Sequence, residues 1–234
     1  MISLILLMVA RNKNTNDEVF IGVEYYSSDY NFPKNTPLDI IKYVDICNNM
    51  NDNNEYKYIE LSNIDNTGNI RGYSYEYGKN LPSRARRKIK ENDVIVSSVE
   101  GSIDKIALVS KEFNDSLCST GFYVLNSNVM NSETLLVLFK NKTIQQLLKQ
   151  KCSGTILMGI NKIDFLSIHL PIISLPVQKK IKTKINESFM LKEQSKQLLK
   201  LAKDIMNNAI ENKEINLKNI DSKIKLICET DNKS

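Results

Sequence analysis

Apolar and polar positions along the 234-residue chain change period several times. Residues 1–10 form an apolar run, residues 12–17 a polar turn, and Val19-Phe20-Ile21-Gly22-Val23 a second apolar run. This pattern predicts two strands. A membrane-spanning helix needs about 20 apolar residues, so the first run is too short for one. No basic residue precedes that run as in a signal peptide, and Arg11 follows it directly. Residues 31–37, with Pro33 and Pro37, read as a linker, residues 38–47 as a short amphipathic segment, and residues 48–54 as a polar loop. A β-rich stretch follows. Residues 56–64 alternate, Asn66-Thr67-Gly68-Asn69 is a turn, and strands are predicted at 93–99, 103–109 and 121–125. Residues 132–149 carry helical periodicity, with Leu135, Leu136, Leu138, Phe139, Ile144, Leu147 and Leu148 on the apolar side. Residues 163–173 read as a final apolar run ending near Pro171, strand-like over residues 167–171.

The pattern changes at Pro176, which suits the first turn of a helix. No Gly or Pro follows through Glu211, so one helix of roughly 50 Å is predicted. Ser188, Ser195, Ala202 and Ala209 recur every seven residues, and Leu191, Leu198 and Ile205 interleave with them. Leu199 and Met206 flank that seam. A row of small residues beside a row of large ones is a coiled-coil pattern and predicts pairing with a second helix. The plainer alternative is an amphipathic helix lying on its own domain.

Composition narrows the chemistry. The chain is 41% hydrophobic and 25% charged, which fits a folded protein with a buried core. The four cysteines, Cys47, Cys118, Cys152 and Cys228, are scattered, and there is one histidine, His169. Zinc sites need ligands paired at short spacing, so the cysteines read as reduced thiols of a cytosolic protein and no metal site is expected. His169 lies in an apolar run and reads as structural. The glycines form neither a dinucleotide fingerprint nor a phosphate loop. No catalytic constellation is found. Net charge is +5, which permits a polyanionic partner without requiring one.

The placement of charge is more informative than its sum. Three of the five arginines fall in Leu81-Pro82-Ser83-Arg84-Ala85-Arg86-Arg87-Lys88. Pro82 and Ser83 suit a helix start, which would put the arginines on a short helix or its entry loop. Guanidinium groups fit phosphate oxygens or the O6/N7 edge of guanine. Tyr73, Tyr75 and Tyr77 alternate just upstream as on one strand face, and tyrosines can contact phosphates or bases. The alternative is a solvated basic surface with tyrosines packed on a sheet.

These segments together resemble a family. Tyr58-Ile59-Glu60-Leu61-Ser62-Asn63-Ile64-Asp65, followed by Gly68 and Ile70, is similar to the entry motif of target recognition domains in type I restriction–modification specificity subunits. The likeness continues through Leu81 to Arg87, Asn92-Asp93-Val94-Ile95-Val96-Ser97, Ser119-Thr120-Gly121-Phe122, and Gly154-Thr155 with Gly159-Ile160. It ends with Pro171, Pro176 and Gln178, which resemble the exit into the family's spacer helix. It covers about residues 38–212, with the motifs in the family's order. Glu100, in Val99-Glu100-Gly101, departs from a pattern that often has arginine there. Residues 4–23 faintly resemble the closing strands of adenine methyltransferase domains.

The resemblance implies an α/β (α+β) chain: a mixed, twisted β-sheet target recognition domain followed by a long coiled-coil-type spacer helix. The expected divisions are residues 1–30 as a strand pair, 31–175 as the recognition domain, 176–213 as the helix and 214–234 as a tail. It implies a non-catalytic specificity subunit that binds double-stranded DNA in the cytoplasm, reading one half of a split site. It would dock an adenine methyltransferase subunit, which holds the S-adenosylmethionine, and a restriction or motor subunit. No cofactor is expected in this chain. One recognition domain where the family usually has two implies a half subunit that pairs with itself or with a different half. Arg84, Arg86, Arg87 and Lys88 are the leading DNA contacts, with Ser83, Tyr73, Tyr75, Tyr77, Lys105, Lys151, Ser153 and Thr155 beside them. The alternatives are a standalone DNA-binding regulator, an inactive remnant without enzyme partner, or a nuclease acting alone.

Overall fold

In the computed structural model, residues 42–43, 50–154, 158–211 and 217–229 are described. The predicted N-terminal strand pair, the linker and Thr155 lie outside them. The chain divides into two compact units, the first through Gln178 and the second from Lys179.

The first unit is built on eight described strands in two four-stranded sheets. One sheet has the order β1-β8-β5-β6, formed by Lys42–Tyr43 (β1), Phe122–Asn126 (β8), Val94–Ser97 (β5) and Ile106–Leu108 (β6). All its pairings are antiparallel. The other has the order β3-β2-β7-β4, formed by Ser74–Tyr77 (β3), Glu55–Ile59 (β2), Leu117–Ser119 (β7) and Ala85–Lys88 (β4). It is mixed, because β2 and β7 run parallel. The expected mixed sheet is therefore joined by a second, antiparallel one.

Side chains alternate across a strand, so register assigns faces. Ile95, Ala107 and Val124 are cross-strand partners, as are Ile59 and Cys118 in the other sheet. All five are fully buried in one cluster with Phe122, Ile89 and Phe113, so the main core joins inner faces of both sheets. Val94, Val96, Tyr123 and Leu125 point the other way from β5 and β8. Helix α1, Ser132–Lys140, contacts β5 and β6 and is buried from Glu133 to Phe139.

The predicted 132–149 helix is two helices, α1 and α2 (Lys142–Gln150), broken at Asn141. Asn141 is extended (ψ 134°), and its side chain accepts from Thr143 N at 2.9 Å, capping α2. A short amide side chain competes with the helical ladder in this way. The strand-like reading of 167–171, within the apolar run 163–173, is also corrected. Asn161 caps a short helix α3, Lys162–Leu166, by accepting from Asp164 N at 2.9 Å. The residues after it run outside any strand, and His169 is exposed rather than buried.

Gln178 holds the end of this unit in place. Its side-chain oxygen accepts from Asn131 N (2.9 Å), and its Nε2 donates to Val129 O (3.0 Å) and Ile173 O (2.8 Å). One buried amide thus serves three backbone groups that would otherwise lack partners. Helix α4, Leu175–Ile210, starts here with Pro176 in its first turn and runs for 36 residues. Its residues from Lys179 on belong to the second unit. That unit also holds helix α5, Leu217–Glu229, within the span read from sequence as a tail. On α4, Leu198 and Ile205 are half-buried, while Ser188, Leu191, Ser195, Leu199, Ala202, Met206 and Ala209 are exposed. No helix among the described residues is long and apolar enough to cross a membrane.

The turn at residues 65–69 shows how a polar side chain sets backbone shape. Asp65 is buried, and its Oδ1 accepts from Thr67 N (2.8 Å), Thr67 Oγ1 (2.7 Å) and Asn69 N (3.0 Å). Its Oδ2 accepts from Arg71 Nε at 2.9 Å. Gly68 takes φ +96°, where a Cβ would meet Leu136 at 2.9 Å, so only glycine fits. Asp65→Ala leaves these donors without an acceptor. We expect it to lower stability by about 2 kcal/mol in urea unfolding, and an unchanged midpoint would contradict this role.

Candidate nucleic-acid interface

The basic segment is a strand, not a helix start. Pro82 O accepts from Ala85 N at 2.8 Å, which closes a turn before β4. β4 then pairs with β7, Ala85 opposite Ser119 and Arg87 opposite Cys118, with an irregularity between them. Pairing with β7 satisfies backbone groups that a one-turn helix would leave open, and this overrides the local signal.

This pairing, with its irregularity, sorts the basic side chains. Arg84 is exposed, Arg86 half-buried and Arg87 buried at 5% exposure. Arg87 lies over the Tyr123 ring, its guanidinium carbon 5.5 Å from the ring centre. It shares the core-facing side of the sheet with Cys118, so it is removed from the set of surface contacts. Burial pushes the Cys118 thiol well above its usual range, and the nearby Arg87 charge opposes that shift. Lys88 is exposed and pairs with Asp115 at 2.9 Å, which holds that carboxyl below its usual range.

The tyrosines stand elsewhere. Tyr75 pairs opposite Lys57 and Tyr77 opposite Glu55 on the edge strand β3, exposed by 55% and 51%. Register puts them on the same sheet face as Ile59 and Arg87, whereas Lys88 shares the opposite face with Leu117 and Tyr58. Tyr73 is packed edge-on against Tyr75 and Phe113. The predicted tyrosine and arginine groups therefore occupy opposite edges of one sheet, not one patch. Lys105 is taken up structurally: its Nζ donates to Ile64 O (3.1 Å) and Asn66 Oδ1 (3.4 Å).

What the fold does bring together is a set of motifs distant in sequence, joined by backbone hydrogen bonds. Arg84 O accepts from Thr120 N at 2.7 Å. The next residue, Gly121, accepts through its carbonyl from Ser98 N (2.8 Å) and Ser98 Oγ (3.0 Å). Ser98 O in turn accepts from Ile160 N at 2.9 Å, and Met158 O from Glu100 N at 3.0 Å. Ser153 and Gly159 exchange two backbone bonds, 2.9 and 3.1 Å. The chain thus forms a continuous rim: Arg84, Thr120-Gly121, Ser98-Val99-Glu100, Met158-Gly159, Ser153. Lys151 and Ser153 are exposed at one end, and Ser83, Arg84 and Arg86 lie at the other. The sequence reading named residues at both ends but missed the hub, Ser98 with Thr120-Gly121. The Ser-Thr-Gly-Phe motif was the signal available for it.

Burial shifts two titrating groups beside the rim. Burial raises the Tyr58 hydroxyl, against a Ser119 hydrogen bond and the Arg84 charge, while the Glu60 charge adds to the rise. Burial raises the Cys152 thiol, and the Glu100 carboxylate adds to the shift. No group of three or more metal-ligating side chains occurs among the described residues.

The junction has no spare room. A Cβ at Gly159 would stand 2.8 Å from Ser98 O, a backbone atom, whereas one at Gly101 would meet nothing within 4 Å. Gly159→Ala should therefore cost about 1–3 kcal/mol and speed hydrogen exchange at the Ile160 amide. Gly101→Ala should be close to neutral. Equal effects of the two substitutions would refute this account of the junction.

No family model matches the chain. Over 125 residues it is 26% identical to the type I restriction enzyme HindI specificity subunit of Haemophilus influenzae, covering 51% of this chain and 24% of that protein. The HsdS subunit from Thermoanaerobacter tengcongensis matches in fold with a TM-score of 0.50 and 24% identity, over 78% of this chain and 49% of that one. A chain from a type I R-M system, solved to explain complex assembly and conformational transition, matches with the same TM-score and identity over 76% and 48%. The chain spans about half the length of these solved relatives, and the sequence match about a quarter of the curated one. In sequence over half its length, and in fold over three quarters of it, the chain resembles the specificity subunits of type I restriction–modification systems.

Proposed function

We propose that this chain is a non-catalytic, sequence-specific DNA-binding specificity subunit of a type I-like restriction–modification system. Residues 31–175 act as the recognition domain, and residues 176–213 as the spacer and pairing helix. The recognition domain reads one half of a split site on double-stranded DNA. An adenine methyltransferase subunit, which carries the S-adenosylmethionine, docks on the assembly, and a restriction subunit joins it.

The observation that carries this reading is the convergence of the family-like motifs on one rim. Four segments separated by tens of residues in sequence meet there through backbone hydrogen bonds. Exposed arginine, lysine and serine side chains lie at its two ends. Such groups neutralise phosphates and release counterions, which gives salt-dependent affinity and fixes register on a duplex.

The pairing half of the proposal rests on α4. Leu191, Leu199 and Met206 are exposed by 53%, 59% and 62%, along the same side as Ser188, Ser195, Ala202 and Ala209. Large apolar residues beside a small-residue row favour close approach of a second helix, and a two-fold pair would present two recognition domains to a split palindrome.

Two measurements test this. Replacing Arg84 and Arg86 by alanine together should weaken binding to duplex DNA. Each lost phosphate contact should reduce the slope of log affinity against log salt by about 0.9. Unchanged affinity and slope would take this strand out of the interface. Light scattering should find a two-chain species for the intact protein, alone or with methyltransferase and DNA, which Leu199→Asp with Met206→Asp abolishes. A monomer under all these conditions would end the pairing model.

A further inference from the structure

Glu100 is an acid built into a rim whose end residues are mainly basic or hydroxylic. Its backbone is pinned from several sides. Its own N–H donates to Met158 O at 3.0 Å, Val99 N donates to Ser97 Oγ at 3.1 Å, and Ser98 is bonded to both Gly121 and Ile160. A side chain carried on backbone held this firmly is placed for recognition more reproducibly than one on a free loop. Glu100 is half-buried, and Gly101 after it is exposed with open space where a Cβ would stand, so a partner can approach closely here. Its carboxylate lies near the Cys152 thiol, as does Lys149, yet no cation among the described residues forms an ion pair with it.

A carboxylate on a surface facing DNA is repelled by phosphates, so it weakens binding unless it meets a donor. It is acceptor-only when ionised. In the major groove the donors are the exocyclic amino groups, N4 of cytosine and N6 of adenine. Arginine and lysine at the ends of the rim can hold the phosphates, and Glu100 lies between them along the row of backbone bonds. We propose that Glu100 is a specificity-determining residue that accepts a hydrogen bond from an exocyclic base amine within the recognised half-site. This rests on the DNA-binding function proposed above.

Selection of bound duplexes from a randomised library, with the full-length chain, tests it. The probes are wild type, Glu100→Ala and Glu100→Gln, each checked for an unchanged unfolding temperature. Wild type should enrich one sequence, with cytosine or adenine at the position Glu100 reads. Glu100→Ala should lose about tenfold of the preference at that one position, and leave the others as they were. Glu100→Gln, whose amide can both donate and accept, should shift the same position toward adenine. If both variants keep the wild-type preference at every position, Glu100 is not a reader. If Glu100→Ala raises affinity equally for all sequences, the carboxylate is only a repulsive charge, and the inference is likewise overturned. If wild type enriches no sequence but binds duplex, specificity fails together with the inference. If it binds no duplex, the functional reading itself fails.

Discussion

The peptide at Ser98 is the constraint on which the candidate interface depends. Its N–H and side-chain hydroxyl both reach Gly121 O, and its carbonyl takes the Ile160 N–H. One residue just after β5 therefore ties the turn between β7 and β8 to Ile160. Backbone groups at such a half-buried position need partners, and here each partner comes from a different segment. The tight approach of Gly159 to Ser98 O follows from the same bonds, since loop and strand end must lie backbone against backbone. The bonds from Thr120 N to Arg84 O and from Glu100 N to Met158 O extend the row on either side of Ser98.

The same architecture decides which charges can act outward. β4 pairs with β7 across an irregularity between Ala85 and Arg87, and its three cationic side chains do not all face solvent. Arg87 turns in and lies over Tyr123, whose hydroxyl donates to Ile160 O at 2.7 Å. Tyr123 thus links the buried arginine to Ile160, and stacking on the aromatic ring offsets part of the arginine's desolvation. Lys88 and Lys105 already have acceptors in Asp115 and in Ile64 O. With a net charge of only +5, the placement of the exposed cations carries more information than their sum.

Long-range pairing explains most differences between the pattern and the fold. β7 has only three residues, too few to show a period, yet it joins β2 in parallel and β4 antiparallel. Its pairing turned the expected helix start at Pro82-Ser83 into the turn before a strand. Asn141 and Asn161 acted locally, by capping. Each accepted a hydrogen bond from a backbone N–H two or three residues on and set a helix boundary inside a longer apolar stretch. Those two were legible in principle, because asparagine before a helix carries its own mechanism.

The sequence by itself determined the strands at β5, β6 and β8, the Asp65–Gly68 turn, the helical segment after Ser132 and the uninterrupted α4 with its seven-residue repeat. These depend on neighbours a few residues apart, where periodicity and turn chemistry act directly. The order of motifs also carried the family likeness before any geometry was known. The tertiary structure alone decided that there are two sheets and that Tyr75 and Arg84 stand on opposite edges of one of them. It also decided that Arg87 is core and that Ser98 is the hub. Those outcomes hinge on which strands pair and which backbone groups meet across the fold. Hydrogen bonds between distant segments leave no period in the chain to be read.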